Sequence, residues 1–262
     1  MNTSSKSLPN NSDERLNEFL RIVKGLQTRP PTQPGQNPDL FYPGLTAKPW
    51  HNAADFEWIQ SLENSFQIIK NELFNLCNKK GFVSYMQPET SDNYRQYRQR
   101  TDWFQYYFYL QGRKFEENCL QCPETTKLLE AIPRRTGVAC FSALSPNTII
   151  EPHCGPTNAR IKCHLGLKIP LGCSIRVGDE TRTWQEGKCL VFDDSFEHEV
   201  RINATSSRIA LIVDVWHPEL TNSEVKALES LEQTEFAQYI QEGWRVVDET
   251  KSHIITKDWW RE

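Results

Sequence analysis

Two stretches of this chain alternate polar and apolar residues with the period of a β-strand. In residues 159–169, Ile161, Cys163, Leu165, Leu167 and Ile169 fall on one face, and Arg160, Lys162, His164 and Lys168 fall on the other. In residues 207–217, Arg208 stands opposite Ile209, Leu211, Val213 and Val215. Successive strand side chains point to opposite faces, so each stretch carries one apolar and one polar or mixed face. Across residues 138–217, short β-rich runs alternate with turn residues, which predicts an antiparallel sandwich or barrel. The polar rows have two readings, a solvated face or a convergence on a site, and only the position of candidate ligands separates them.

Helical signals flank this region. From Asn52, the residues Phe56, Ile59, Leu62, Phe66, Ile69, Leu73 and Leu76 recur at steps of three and four, predicting one amphipathic helix with Asn52 as N-cap and Gly81 as its stop. Residues 103–110 are aromatic and strand-like, and residues 125–131 predict a short helix ending at Ile132-Pro133. Thr221 and Glu224 form a capping box that opens a helix carrying Val225, Leu228 and Leu231. Near the start, Leu16, Phe19, Leu20 and Val23 mark a short amphipathic helix. Five prolines and two glycines then make residues 29–44 an irregular connector. The organisation expected is a tail and connector over 1–41, a domain over 42–220 and a helical extension over 221–262.

Composition narrows the function classes. Thirty basic residues against 34 acidic ones, a net charge of −4, offer no general field for nucleic acid. The N-terminus is polar, and no apolar run approaches the roughly 18 residues that span a bilayer, so no membrane and a cytoplasmic location are expected. The eight cysteines are expected to be mostly reduced. Cys119 and Cys122 form a C-x-x-C without a second pair at zinc spacing, and read as a turn before Pro123.

Four of the six histidines lie in the β-rich region. His153 sits in Glu-Pro-His-Cys-Gly-Pro at a strand end, and His198 sits in Asp-Asp-Ser-Phe-Glu-His-Glu-Val entering a strand. Two histidines near strand edges suit a non-haem iron site, which ordinarily adds one carboxylate two residues after the first histidine. Here that position is Gly155. Asp193, Asp194 and Glu197 are candidate oxygen ligands, or else caps and surface charge.

Four ordered blocks carry a resemblance. They are residues 153–158 (His-Cys-Gly-Pro-Thr-Asn), 162–167 (Lys-Cys-His-Leu-Gly-Leu), 192–199 (Phe-Asp-Asp-Ser-Phe-Glu-His-Glu) and 214–220 (Asp-Val-Trp-His-Pro-Glu-Leu). Together they resemble the aspartyl/asparaginyl β-hydroxylases, over about residues 42–220. The resemblance implies a double-stranded β-helix (jelly-roll, cupin-like) with flanking helices. It also implies Fe(II), the co-substrate 2-oxoglutarate and O2. It implies His153 and His198 as metal ligands and catalytic residues, with glycine at 155 as in the animal members. It assigns the far carboxylate of 2-oxoglutarate to Arg208 and Ser142, and the keto acid end to His164 and Lys162, where the family usually has arginine. For the prime substrate it implies Arg98 and Arg160, whose alternative reading is surface ion pairs. Arg95 stands where those members carry an acidic residue. Because ligation needs neutral histidine, activity is expected to fall as pH drops near 6. The substrate class implied is a peptide or small amino-acid-type molecule, hydroxylated at a β-carbon by a free-standing enzyme. Iron halogenases, acyl-chain hydroxylases of the same fold and a non-catalytic ligand-binding barrel are the rival readings.

Overall fold

The computed structural model describes residues 12–76, 82–84 and 102–234. In chain order it begins with α1 (Ser12–Val23), β1 (Trp50–His51), α2 (Glu57–Asn64), α3 (Phe66–Leu76), β2 (Val83–Ser84), β3 (Trp103–Leu110) and β4 (Arg113–Lys114). Two short helices follow, α4 (Glu116–Gln121) and α5 (Pro123–Glu130). Eight strands come next: β5 (Arg135–Leu144), β6 (Ile149–His153), β7 (Arg160–Lys168), β8 (Cys173–Val177), β9 (Glu180–Arg182), β10 (Cys189–Phe192), β11 (His198–Ile202) and β12 (Arg208–Trp216). The helix α6 (Asn222–Thr234) closes the described chain.

From β5 onward the strands divide between two antiparallel sheets. The large sheet contains the order β10-β7-β12-β5, and the small sheet runs β6-β11-β8-β9. Eight consecutive strands interleaved in this way make a double-stranded β-helix, the mainly β class expected from the alternation. On the large sheet, β1 lies beyond β10, and β3, carrying β2 and β4, lies beyond β5.

The apolar rows of β7 and β12 pack outward on Ile59, Leu62, Ile69 and Leu73 of the helices. Between the sheets lies a second core that includes Trp50, Ile175, Val177, Phe192 and Val200. One row of β12 shares the helix-covered core, Ile212 of the other row packs with Tyr107 and Phe115, and all nine residues of the strand are buried. The polar row on β12 is not a solvated face.

The amphipathic stretch from Asn52 differs from the single helix expected. Asn52 caps only a 3₁₀ turn, Ala53–Asp55, by accepting from Ala54 N at 3.2 Å. Phe56 then returns to extended backbone (φ −120°, ψ 99°), which ends that turn before α2 starts. A second break falls at Ser65, whose N–H donates to Leu62 O as well as Ser61 O, tightening the last turn of α2. The apolar face survives both breaks because packing, not an unbroken hydrogen-bond ladder, sets it. Gly81 lies outside the described residues.

The proline-rich connector is irregular, as expected, and is tied down along its length. Glu197 N donates to Gly35 O, Asn37 N to Ser195 O and Leu40 N to Pro156 O. The Asn158 side chain holds Tyr42 at both its N–H and its carbonyl. The α6 capping box forms reciprocally, with Thr221 N to Glu224 Oε2 at 2.7 Å and Glu224 N to Thr221 Oγ1 at 3.3 Å. Glu224 also accepts from Arg15 of α1 at 2.7 Å and from the Tyr42 hydroxyl at 2.9 Å. Cys119 and Cys122 are buried free thiols beside α5, and burial pushes both up. Cys119 lies within α4, and Cys122 ends it just before Pro123 opens α5. Among the described residues, no helix is long and apolar enough to cross a membrane.

His51 of β1 and His217, just past β12, meet edge to face at 6.0 Å. Burial pushes His51 down to about 4, helped by His217 and Lys48 against Asp55 and Glu219; burial also lowers His217. Between pH 6.5 and 4 the unfolded chain thus binds protons that the folded chain refuses, so stability falls as pH falls through this window. Among the described residues the His51 Nε2 is buried without a hydrogen-bond partner, so phenylalanine replaces the ring at little cost. His51→Phe is expected to lose less stability than wild type between pH 7 and pH 5 in urea denaturation. An identical pH dependence in the two proteins would refute this.

Candidate active site

The small sheet brings His153 and His198 together. His153 ends β6, His198 opens β11, and the two are direct cross-strand partners. Their rings lie 4.1 Å apart. Both rings are held in the same way. His153 Nδ1 lies 2.8 Å from Glu151 O, and His198 Nδ1 lies 2.9 Å from Phe196 O. A carbonyl can only accept, so each Nδ1 carries the proton and each Nε2 keeps a lone pair. Burial pushes His198 down to about 4 and lowers His153 as well, with the neighbouring His198 adding to the latter. Proton competition for these nitrogens therefore moves below the pH 6 region expected from unperturbed histidine.

The three candidate oxygen ligands separate cleanly. Glu197 pairs with Arg176 at 2.8 Å on the surface. Asp193 is buried in its own turn, where Oδ1 accepts from Ser195 N at 2.9 Å. Asp194 lies against Gly155. Gly155 N donates to Asp194 O at 2.6 Å, and a Cβ on Gly155 would stand 2.5 Å from Asp194 Oδ2 and 2.7 Å from Oδ1. The space that a residue-155 side chain would fill is occupied by a carboxylate from the other loop. Among the described residues, no cluster of three or more His, Cys, Asp or Glu forms a complete metal cage.

A second group of side chains lies on the inner face of the large sheet. Arg208, at the start of β12, is 1% exposed. Its Nη2 donates to His164 Nδ1 at 3.2 Å, and its guanidinium lies 4.1 Å from the Trp184 ring centre. No carboxylate pairs with Arg208 among the described residues, and burial pulls it down to about 10. Because His164 Nδ1 accepts, its Nε2 carries hydrogen; burial, with Arg208 beside it, keeps the ring neutral. Arg208 Nε, His164 Nε2 and Trp184 Nε1 are all buried donors without an acceptor among the described residues. Burying an unpaired charge costs several kcal/mol, and an anion that brings its own oxygens could pair with these donors. Ser142 stands on the neighbouring strand, opposite Ala210, and its Oγ accepts from Trp103 Nε1 at 3.2 Å. That leaves the Ser142 hydroxyl proton to donate. Trp184 escaped the sequence reading, since a tryptophan in a loop gives no signal beyond core packing, and Trp103 reads only as the start of an aromatic strand, without a role at the site.

The remaining candidates lie further along the same face. Lys162 Nζ donates to Asp214 Oδ1 at 2.7 Å and is 3.3 Å from Asp194 Oδ2. Arg160 is buried with its guanidinium 5.2 Å from the Trp216 ring centre, which a surface ion pair would not be. Arg98 and Arg95 lie outside the described residues.

Comparison with known proteins bears on this arrangement. The family profile described as Aspartyl/Asparaginyl beta-hydroxylase matches residues 63–218, more than half of the chain. The chain belongs to the aspartyl/asparaginyl β-hydroxylase family. It is 43% identical over 197 residues to the human aspartyl/asparaginyl beta-hydroxylase, a match covering 72% of this chain and 25% of that protein. It is 38% identical over 225 residues to the mouse aspartate beta-hydroxylase domain-containing protein 2, covering 80% of this chain and 64% of that one. The chain thus spans about a quarter of the human relative's length. A predicted oxalate decarboxylase from Thermotoga maritima aligns at a TM-score of 0.32 and 10% identity, over 51% of this chain and 98% of that one. The assignment of fold rests on the strand order itself.

Gly155→Ala drives a methyl group into the Asp194 carboxylate. Overpacking of this kind costs about 1–3 kcal/mol, and the expected loss in urea denaturation lies in that range. In an Asp194→Ala background the same change is expected to be nearly neutral. Equal losses in both backgrounds would mean that Asp194 does not fill this space.

Proposed function

We propose that this chain is an iron(II)- and 2-oxoglutarate-dependent dioxygenase that hydroxylates the β-carbon of an aspartyl, asparaginyl or related amino-acid residue in a peptide or small molecule. The observation that carries the reading is the buried Arg208 guanidinium with no carboxylate among the described residues, on the same β-helix as a cross-strand pair of neutral histidines whose Nδ1 atoms are both bonded to backbone carbonyls. A dicarboxylate answers the first feature and a divalent metal the second. Membership of the hydroxylase family supports both.

In this reading His153 and His198 hold iron(II) through Nε2, and the Nδ1 bonds to Glu151 O and Phe196 O fix both tautomers and ring orientations. The bound metal supplies oxygen activation coupled to conversion of 2-oxoglutarate to succinate and carbon dioxide. Arg208 takes the far carboxylate of the co-substrate through its planar donor fork, with the Ser142 hydroxyl beside it. His164 Nε2–H donates to the same ligand, and Trp184 stacks under the guanidinium, excluding water from the contact. Arg160, and Arg98 from outside the described residues, supply positive charge for an acidic or amide side chain.

The test is succinate formation by purified protein with iron(II), ascorbate, 2-oxoglutarate and oxygen, followed by a search for a one-oxygen mass gain on aspartyl peptides and amino acids. His153→Ala and His198→Ala are expected to abolish succinate. Losing hydrogen bonds to a charged group costs about 1.5–3 kcal/mol, so Arg208→Ala is expected to raise the 2-oxoglutarate KM roughly tenfold to a hundredfold. Wild-type protein that retains no iron and makes no succinate would return the chain to the ligand-binding reading.

A further inference from the structure

Two glycines in this protein have their side-chain space taken by a carboxylate, and both carboxylates reach the same ammonium group. Gly155 gives way to Asp194, as above. Gly137, at φ +51°, gives way to Asp214: a Cβ there would lie 2.5 Å from Asp214 Oδ2 and 3.1 Å from Arg160 Nη1. Asp214 Oδ2 also accepts from Val138 N at 3.1 Å, which fixes the carboxylate to β5. Its other oxygen takes Lys162 Nζ at 2.7 Å, and Lys162 in turn reaches Asp194 Oδ2 at 3.3 Å. The side chains of Lys162, Asp194 and Asp214 are 18%, 11% and 9% exposed, so water screens these contacts little.

We infer that Asp214 is a positioning residue for the metal site, acting through Lys162 on the Asp194 carboxylate that abuts the histidine-bearing loop. This rests on reading His153 and His198 as the metal pair. Lys162 and Asp214 face each other on adjacent strands, β7 and β12, in direct register. The anchor is therefore the rigid large sheet, and the carboxylate it restrains belongs to the loop entering β11. The Asp194 carboxylate fills the side-chain space of Gly155, two residues after His153, so where it stands bears on the charge that a cation bound there would feel. Lys162 sets where that carboxylate stands, and Asp214 sets where Lys162 stands. In this arrangement the Lys162 ammonium is an internal counterion rather than a direct hold on the co-substrate. That role suits a compact point charge, which can sit between two carboxylates without the fork geometry of arginine.

The test is Co(II) binding to metal-free full-length protein, read from the visible absorption of the ion, with thermal melting run alongside. Loss of a group that orients metal ligands costs roughly tenfold to a hundredfold in affinity. Asp214→Asn, which keeps the shape and one acceptor oxygen, is expected to weaken Co(II) roughly tenfold and to shift its bands. In a Lys162→Met background, Asp214→Asn is expected to have no further effect, because its route to the site is already cut. Lys162→Arg is expected to keep most of the affinity that Lys162→Met loses, which tests the proposal even where an Asp214 variant folds poorly. Wild-type affinity and spectrum in Asp214→Asn, an undiminished effect in the Lys162→Met background, or equal losses in both Lys162 variants would each overturn the inference. A wild type that fails to bind Co(II) overturns the metal pair itself, so the two failures are distinguishable.

Discussion

The central strand β12 is buried on both faces, and most of the chemistry of this protein follows from that constraint. A polar side chain on such a strand must find a partner inside the protein or be destabilising. Asp214 finds Lys162 and the Val138 amide. Arg208 finds an imidazole and the face of an indole, neither of which neutralises it. The difference between the two ends of one strand is informative. At one end opposite charges meet inside the protein; at the other a cation without a carboxylate partner among the described residues is held in place by the packing around it. Burial of an unpaired guanidinium is costly, which is the physical ground for reading Arg208 as part of a binding site.

The strands were legible because period-two alternation survives whatever the strand packs against. Residues 159–169 and 207–217 read correctly to within a residue or two at each end. The α6 capping box was legible for a different reason: its two hydrogen bonds are local, and Thr221 and Glu224 must meet if the helix starts there. The break between α2 and α3 was not legible. Ser65, like Phe56 before α2, leaves helical geometry, and an apolar spacing of three and four looks the same across such a break. The solvated-face alternative for the polar row of β12 fell only with the burial of all nine of its residues, which depends on the fold and not on local spacing.

The site was legible in part. His153 and His198 stood out as histidines near strand edges, but their cross-strand register depends on pairing between residues far apart in sequence. Gly155 read as a missing carboxylate. In space it is the position where Asp194 enters, a relation between two loops that no local spacing encodes. Likewise, Lys162 read as a cation for a ligand, and only the fold shows it lodged between two carboxylates.

The proline-rich segment before β1 has a consequence for the order in which the molecule can be assembled. Gln36 donates to Ser195, 159 residues away, and Tyr42 is held by Asn158, 116 residues away. Arg15 meets Glu224 across 209 residues. Contacts of such separation form late, because loop closure must precede any gain from them. A ribosome therefore releases this segment first, yet it has nowhere to settle until the last core strands have been made. The loops around the histidine pair acquire their final restraint only when both ends of these contacts have been made, so a partly made chain carries His153 without the frame that holds it.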